Sequence, residues 1–185
     1  MRAFVLPSLV VLLGGCLDYV PYDPDTGKTF IALQKDFQNF KSWEAYVVGS
    51  DAVAGTGGHP KGQRTVYINK LPPPGSAHFP VGTMIVKVRD EGPGLEPENH
   101  AMVKRGGDFN AKGAVGWEWF DIDFVDGDPE ATVIWRGLTP PVGHGYRTMG
   151  GETATNATTG DCNSCHAAAS DNDFVMDSHL VLKDL

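Results

Sequence analysis

Cysteine is scarce in this chain. Three occur in 185 residues, at positions 16, 162 and 165. So few exclude a disulfide-stapled scaffold, and a single closely spaced pair leaves no second Cys pair to complete a structural zinc site. Long hydrophobic runs are missing as well. The apolar stretch 3–13 is broken by Pro7 and Ser8, and it falls short of the roughly 20 residues that a membrane-spanning helix needs. No block of like charge occurs and the formal net charge is −8, which excludes a basic field for nucleic acid and an acidic tail. No internal repeat is visible.

What is present describes a folded domain. An apolar fraction of 41% and a charged fraction of 21% are ordinary for a globular protein and argue against disorder. The length suits one domain. The 23 Gly and 13 Pro imply many turns, which favours a β-rich fold over a helical bundle. The first residues read as an export signal: Arg2 supplies the positive charge, 3–13 the apolar segment. It closes in Leu13-Gly14-Gly15-Cys16, which resembles a bacterial lipobox, so residues 1–15 are expected to be removed and Cys16 acylated. The chain would then be exported and lipid-anchored on the periplasmic side of a bacterial membrane. An ordinary secretory signal with Cys16 as a bystander is the alternative. Residues 16–28, rich in Asp and Pro, form a tether, and 29–185 form the domain.

Within the domain, Phe30, Leu33, Phe37 and Phe40 recur at helical spacing and predict an amphipathic helix over 29–42. The period then changes to two. Strands are predicted at 43–48, 64–69, 83–89, 100–104, 117–124 and 131–136. In 83–89, Met84, Val86 and Val88 share one face and Ile85, Lys87 and Arg89 the other. In 117–124, Phe120, Ile122 and Phe124 oppose Trp119, Asp121 and Asp123. The connections are too short for crossover helices, so the strands should pair antiparallel. Residues 139–160 read as a long Gly-, Pro- and Thr-rich loop. The expected fold is mainly β with minor α, an antiparallel sheet with a few short helices.

The strongest chemical signal is Cys162-Asn163-Ser164-Cys165-His166. Two thiols separated by two residues can each add to one vinyl group of a haem, and the next residue, His166, is then held beneath the iron as axial ligand. This attachment is made outside the cytoplasm, in agreement with the export signal. A redox dithiol would sit after a strand in a βαβ unit, whereas loop precedes this one. With lipid on Cys16 and one covalent haem c on Cys162 and Cys165, no thiol is left over. Met84, Met102, Met149, Met176 and the remaining histidines are the candidates for the sixth iron position.

The chain resembles the cytochrome P-460 family, which includes the cytochromes c′-beta. The resemblance lies in segments that follow one another in family order: Arg64-Thr65-Val66-Tyr67-Ile68-Asn69, then Phe79-Pro80-Val81-Gly82-Thr83-Met84-Ile85-Val86-Lys87, then Ala101-Met102-Val103-Lys104, then Gly116-Trp117-Glu118-Trp119-Phe120, and the haem motif with Asp173-Phe174-Val175. It implies an antiparallel sheet with c-haem packed against it near the C-terminus, His166 as proximal ligand and an open distal iron position. It also implies that Lys87 matches a lysine bonded to the haem macrocycle in one branch of the family. The residues alone are also satisfied by a plain surface lysine. Arg64 matches a family arginine that could meet a haem propionate or a bound ligand, and a surface role is its alternative. Phe79 would cap the distal face or serve in the core. Two positions depart from the pattern: Val88 stands where a glutamate usually follows the lysine, and His100 stands where hydroxylamine-oxidising members place a carboxylate. His100 is then the candidate proton relay, with a loop histidine as the alternative. His59 and His78 lie in Gly/Pro loops and are expected to face water.

Three activities follow. One is oxidation of hydroxylamine or nitric oxide, with electrons passed to another cytochrome. The second is capture of nitric oxide without turnover, and the third is six-coordinate electron transfer. The partners expected are a small nitrogen oxide, a redox cytochrome and, through the N-terminal lipid, a membrane. A homodimer is expected by analogy alone.

Overall fold

The structure is a computed structural model. It describes residues 27–49, 63–89, 99–124, 130–140, 142–146, 148–149, 152–153 and 161–185, with backbone alone at 148–149 and 152–153. The expected signal segment, Cys16, most of the expected tether, His59 and most of 147–160 lie outside the described residues.

Alternating β-branched and aromatic segments pair with their sequence neighbours, so the connections stay short. The strands are β1 (Glu44–Val48), β2 (Arg64–Ile68), β3 (Met84–Arg89), β4 (Asn99–Lys104), β5 (Trp117–Phe124), β6 (Ala131–Thr139) and β7 (Val142–Gly145). They form one antiparallel sheet in chain order. β8 (Thr148–Met149) and β9 (Glu152–Thr153) form a separate two-stranded ribbon. The mainly β, antiparallel expectation is met.

Register partners share a face, and both faces are covered. One face carries Met84, Val86, Val103, Phe120 and Ile122 beneath Ala32, Phe37 and Phe40 from the N-terminal segment. The other carries Ile68, Ile85, Met102, Trp117 and Trp119 beneath Val175, Leu180 and Leu182 from the C-terminal segment. The alternation expected in β3 and β5 is the one observed. A β-bulge lies between β5 and β6: Asp121 pairs with Trp135 and Ile122 with Val133, so Ile134 has no opposite residue.

Two sequence expectations are corrected. The helix over 29–42 does not form. Thr29 instead bridges to Gly106, and Phe30 N–H donates to Arg105 O, which draws the chain in extended. Only two 3-10 turns follow, Gln34–Phe37 and Phe40–Ser42, separated by Asn39 at φ 57°. Phe37 and Phe40 are core residues, as their spacing suggested, whereas Leu33 is exposed. The second correction concerns 139–160. Part of this segment is β7, where Gly143 allows close approach to β6: an added Cβ would meet Arg136 O at 2.3 Å.

Candidate cofactor site

Asp161, at the start of a short helix α1 (Cys162–His166), accepts a hydrogen bond from Ser164 N–H at 3.1 Å and another from the Ser164 hydroxyl. These bonds to the charged form hold the Asp161 carboxyl below its usual value. The chain continues as 3-10 turns from Ala167–Asn172. α1 is docked on the sheet by Asn163, the residue after the first motif cysteine. Asn163 Oδ1 accepts from Asn110 Nδ2 at 2.8 Å, from Trp119 Nε1 at 2.9 Å and from Ala114 N–H at 3.3 Å, and its own Nδ2 donates to Asn110 Oδ1 at 3.0 Å.

Cys162 and Cys165 are separate thiols, both half-buried. Burial pushes the Cys162 thiol up to about 11, and the positive charge of Lys87 acts on it in the opposite sense. His166 Nδ1 donates to Phe174 O at 2.7 Å, which fixes the tautomer whose Nε2 carries the lone pair. Its ring lies 4.5 Å from that of Trp119, centroid to centroid.

Facing α1, the sheet arranges its polar side chains in rows. The first row is Arg64 on β2 beside Arg89 on β3. The second is Val66, Lys87, His100 and Asp121 across β2 to β5. The third is Ile68, Ile85, Met102 and Trp119, and the fourth is Lys104 beside Trp117. Successive rows are two residues, about 6.6 Å, apart. In the second row His100 Nε2 lies 3.8 Å from Asp121 Oδ1.

A surface role for Arg64 is overturned by its burial. Lys87 is half-buried on the face covered by the C-terminal segment, and Arg64 is fully buried, at 1% exposure. Arg89 is 2% exposed, and among the described residues nothing hydrogen-bonds its Nε and Nη1. Phe79 is buried against Trp117, edge to face at 6.0 Å, near the fourth row rather than with Lys87 and His100. His78 is exposed, as expected. Met84 is buried on the opposite sheet face, and Met102 lies in the third row. The Met176 sulfur sits 4.0 Å from Cys165 Sγ, in the segment that carries Phe174.

Sequence reasoning missed Asn163, Asp121 and Arg89 as site residues. The face of Asp121 and Arg89 was readable from strand alternation, since each lies two residues from a recognised position. Asn163 gave no signal, because its partners are 44 to 53 residues away.

The residues fit a covalently held haem on three local observations: two separate thiols on one helix, a neighbouring histidine whose Nδ1 is held by a carbonyl, and the buried Arg89, whose Nε and Nη1 have no hydrogen-bond partner among the described residues. No protein-family model matches the chain, and no curated protein or solved structure matches it significantly. The fold and the site define a class: an antiparallel β-sheet protein with a Cys-x-x-Cys-His helix packed on one face of its sheet.

Proposed function

We propose that the chain is an exported, lipid-anchored c-type cytochrome of the P-460 kind that oxidises hydroxylamine or nitric oxide and passes the electrons to another cytochrome. The observation that carries this reading is the 2.7 Å bond from His166 Nδ1 to Phe174 O within the Cys162–Cys165–His166 motif. A bound haem supplies a redox iron with a coordination position for a small nitrogen oxide. Every other role falls to the chain's own residues. Cys162 and Cys165 would form thioether bonds by adding across the two haem vinyl groups, and His166 would hold the iron through Nε2. Lys87, which acts electrostatically on Cys162, is the residue available for a further bond to the macrocycle. Arg64 and Arg89, buried side by side in the first row, would receive the propionate carboxylates. His100 takes a proton from the substrate, and Asp121 beside it stabilises the imidazolium. Asp121 thereby answers the missing family carboxylate, and this favours turnover over simple capture of nitric oxide.

Co-expression with the c-haem maturation machinery tests the reading. A denaturing gel should show a peroxidase-stained band that is lost in Cys162→Ala/Cys165→Ala. A red-shifted Soret band in the reduced protein, together with a haem-bearing Lys87 peptide by mass, supports the cross-link. A normal high-spin spectrum assigns the chain to nitric oxide capture instead, and a low-spin spectrum to electron transfer. A colourless band sinks all three activities.

A further inference from the structure

Asp173 and Phe174 are consecutive non-glycine residues in left-handed backbone, at φ 50° and 67°. Such a pair is uncommon and persists only where its surroundings over-determine it. Here they do. The Asp173 carboxylate is gripped by Lys104 Nζ at 2.6 and 2.8 Å and by Phe79 N–H at 2.9 Å. Its backbone carbonyl accepts from Trp117 Nε1 at 2.7 Å, and Phe174 N–H donates to Ala169 O at 2.8 Å. Both charged partners are buried, Lys104 at 9% and Asp173 at 4% exposure. His78 Nδ1, 3.7 Å from Asp173 Oδ1, is the other titratable group at the pair. Every polar group of this turn is thus engaged, and the Phe174 carbonyl points at His166 Nδ1.

We propose that the buried Lys104–Asp173 ion pair is a positioning device for His166. It clamps the Asp173–Phe174 turn so that one peptide carbonyl selects the Nδ1–H tautomer of the imidazole. The ion pair lies at the fourth row of the sheet, and β4 and the C-terminal segment, far apart in sequence, meet there. A carbonyl bonded to Nδ1–H raises the electron donation of Nε2. The consequence for a bound iron rests on the function proposed above; the tautomer itself does not.

The test uses the double variant Lys104→Met/Asp173→Asn. It removes both charges together and so avoids stranding one of them in the core. In the full chain expressed without haem, nitrogen-15 shifts of the His166 ring should report Nδ1–H in the parent. In the variant they should report the Nε2–H form usual for free imidazole. In the haem-loaded reduced protein, the iron–histidine stretch should move to lower frequency and the reduction potential should rise. Lys104→Arg should restore the parent values. An unchanged tautomer in a folded double variant overturns the proposal. So does a double variant that unfolds, since the pair would then serve the fold rather than the histidine. If the parent takes up no haem, the cytochrome reading fails, and the tautomer measurement still decides this one.

Discussion

Cys162 combines exposure to chemistry with burial. Its thiol is raised from 9.0 to about 11, chiefly by burial. Near neutral pH the thiolate, which is the nucleophile, then amounts to only about one part in ten thousand. Alkylation of Cys162 in the haem-free chain, followed by peptide mass, should accelerate about tenfold per pH unit up to about pH 11. A rate that levels off near pH 9 would contradict the burial. The same shift has a stability consequence. Because the folded value lies above the unfolded one, the folded chain holds this proton more tightly. That stabilisation is present below pH 9 and is lost as pH rises through 11. Tyr46, raised to about 12 by its hydrogen bond with Glu44, acts in the same sense above pH 10. The difference in denaturant midpoint between the parent and Cys162→Ser, followed from pH 7 to 11, isolates the thiol. Asn163 is the second decisive residue. Replacing it by Leu keeps the side chain's size but strands Trp119 Nε1 and the Asn110 Oδ1, at about 1–3 kcal/mol for each buried group. Urea unfolding of Asn163→Leu should show that loss. A midpoint equal to the parent's would mean that α1 is held by its apolar contacts alone.

The elements divide by how locally they are specified. β3 and β5 were legible because alternation is a property of adjacent residues. Met84, Val86, Phe120 and Ile122 declared one face, and Trp119 and Ile85 the other. The Cys162–His166 run was legible as a candidate site because its residues stand at fixed, local spacing. The segment 29–42 was misread because its aromatic period matches a helix, while a bridge to Gly106 outside the window decides its course. β7 was missed because its few residues, two of them glycines, owe their place to β6. The same rule hides the clasp on the far sheet face. Glu118, buried on β5, accepts from Arg136 Nε and Nη2, both at 2.6 Å, and from Arg105 Nη1 at 3.2 Å. Arg136 Nη1 donates in turn to Ala32 O, 104 residues away, so the N-terminal cover is fastened to β5 and β6. Glu118→Ala leaves the half-buried Arg136 without its carboxylate and should cost about 1.5–3 kcal/mol. Haem content per folded molecule should not change, because this clasp lies on the face away from α1. Thermal melts and the pyridine haemochrome assay check the two halves of that expectation. Lost haem in folded protein would show that the faces are coupled.

At the scale of the molecule, one sheet separates two unlike layers. The N-terminal layer is joined to it by Phe37, Phe40 and the Arg136 bond to Ala32. The C-terminal layer holds the motif but has little regular structure of its own: α1 spans five residues and 3-10 turns follow. A helix this short has no independent stability. The layer is held by Val175, Leu180 and Leu182 in the core, by Asn163, and by Asn172, which donates to Val175 O and Leu180 O and accepts from Leu182 N–H. These contacts form one connected group, so the layer should open as a unit below the free energy of global unfolding. A group bonded to Cys162, Cys165 and His166 would be bound in the closed layer and would raise that opening free energy. Amide hydrogen exchange distinguishes the cases. Without haem, the amides of Cys165, Phe174, Val175 and Leu180 should exchange together and faster than those of Val86, Val103 and Phe120 in the sheet. With haem attached, the two groups should converge, because the layer then opens only with the sheet. Equal rates in the haem-free chain would show that the sheet and its C-terminal cover already form one cooperative unit, stable without the cofactor that the motif is read to carry.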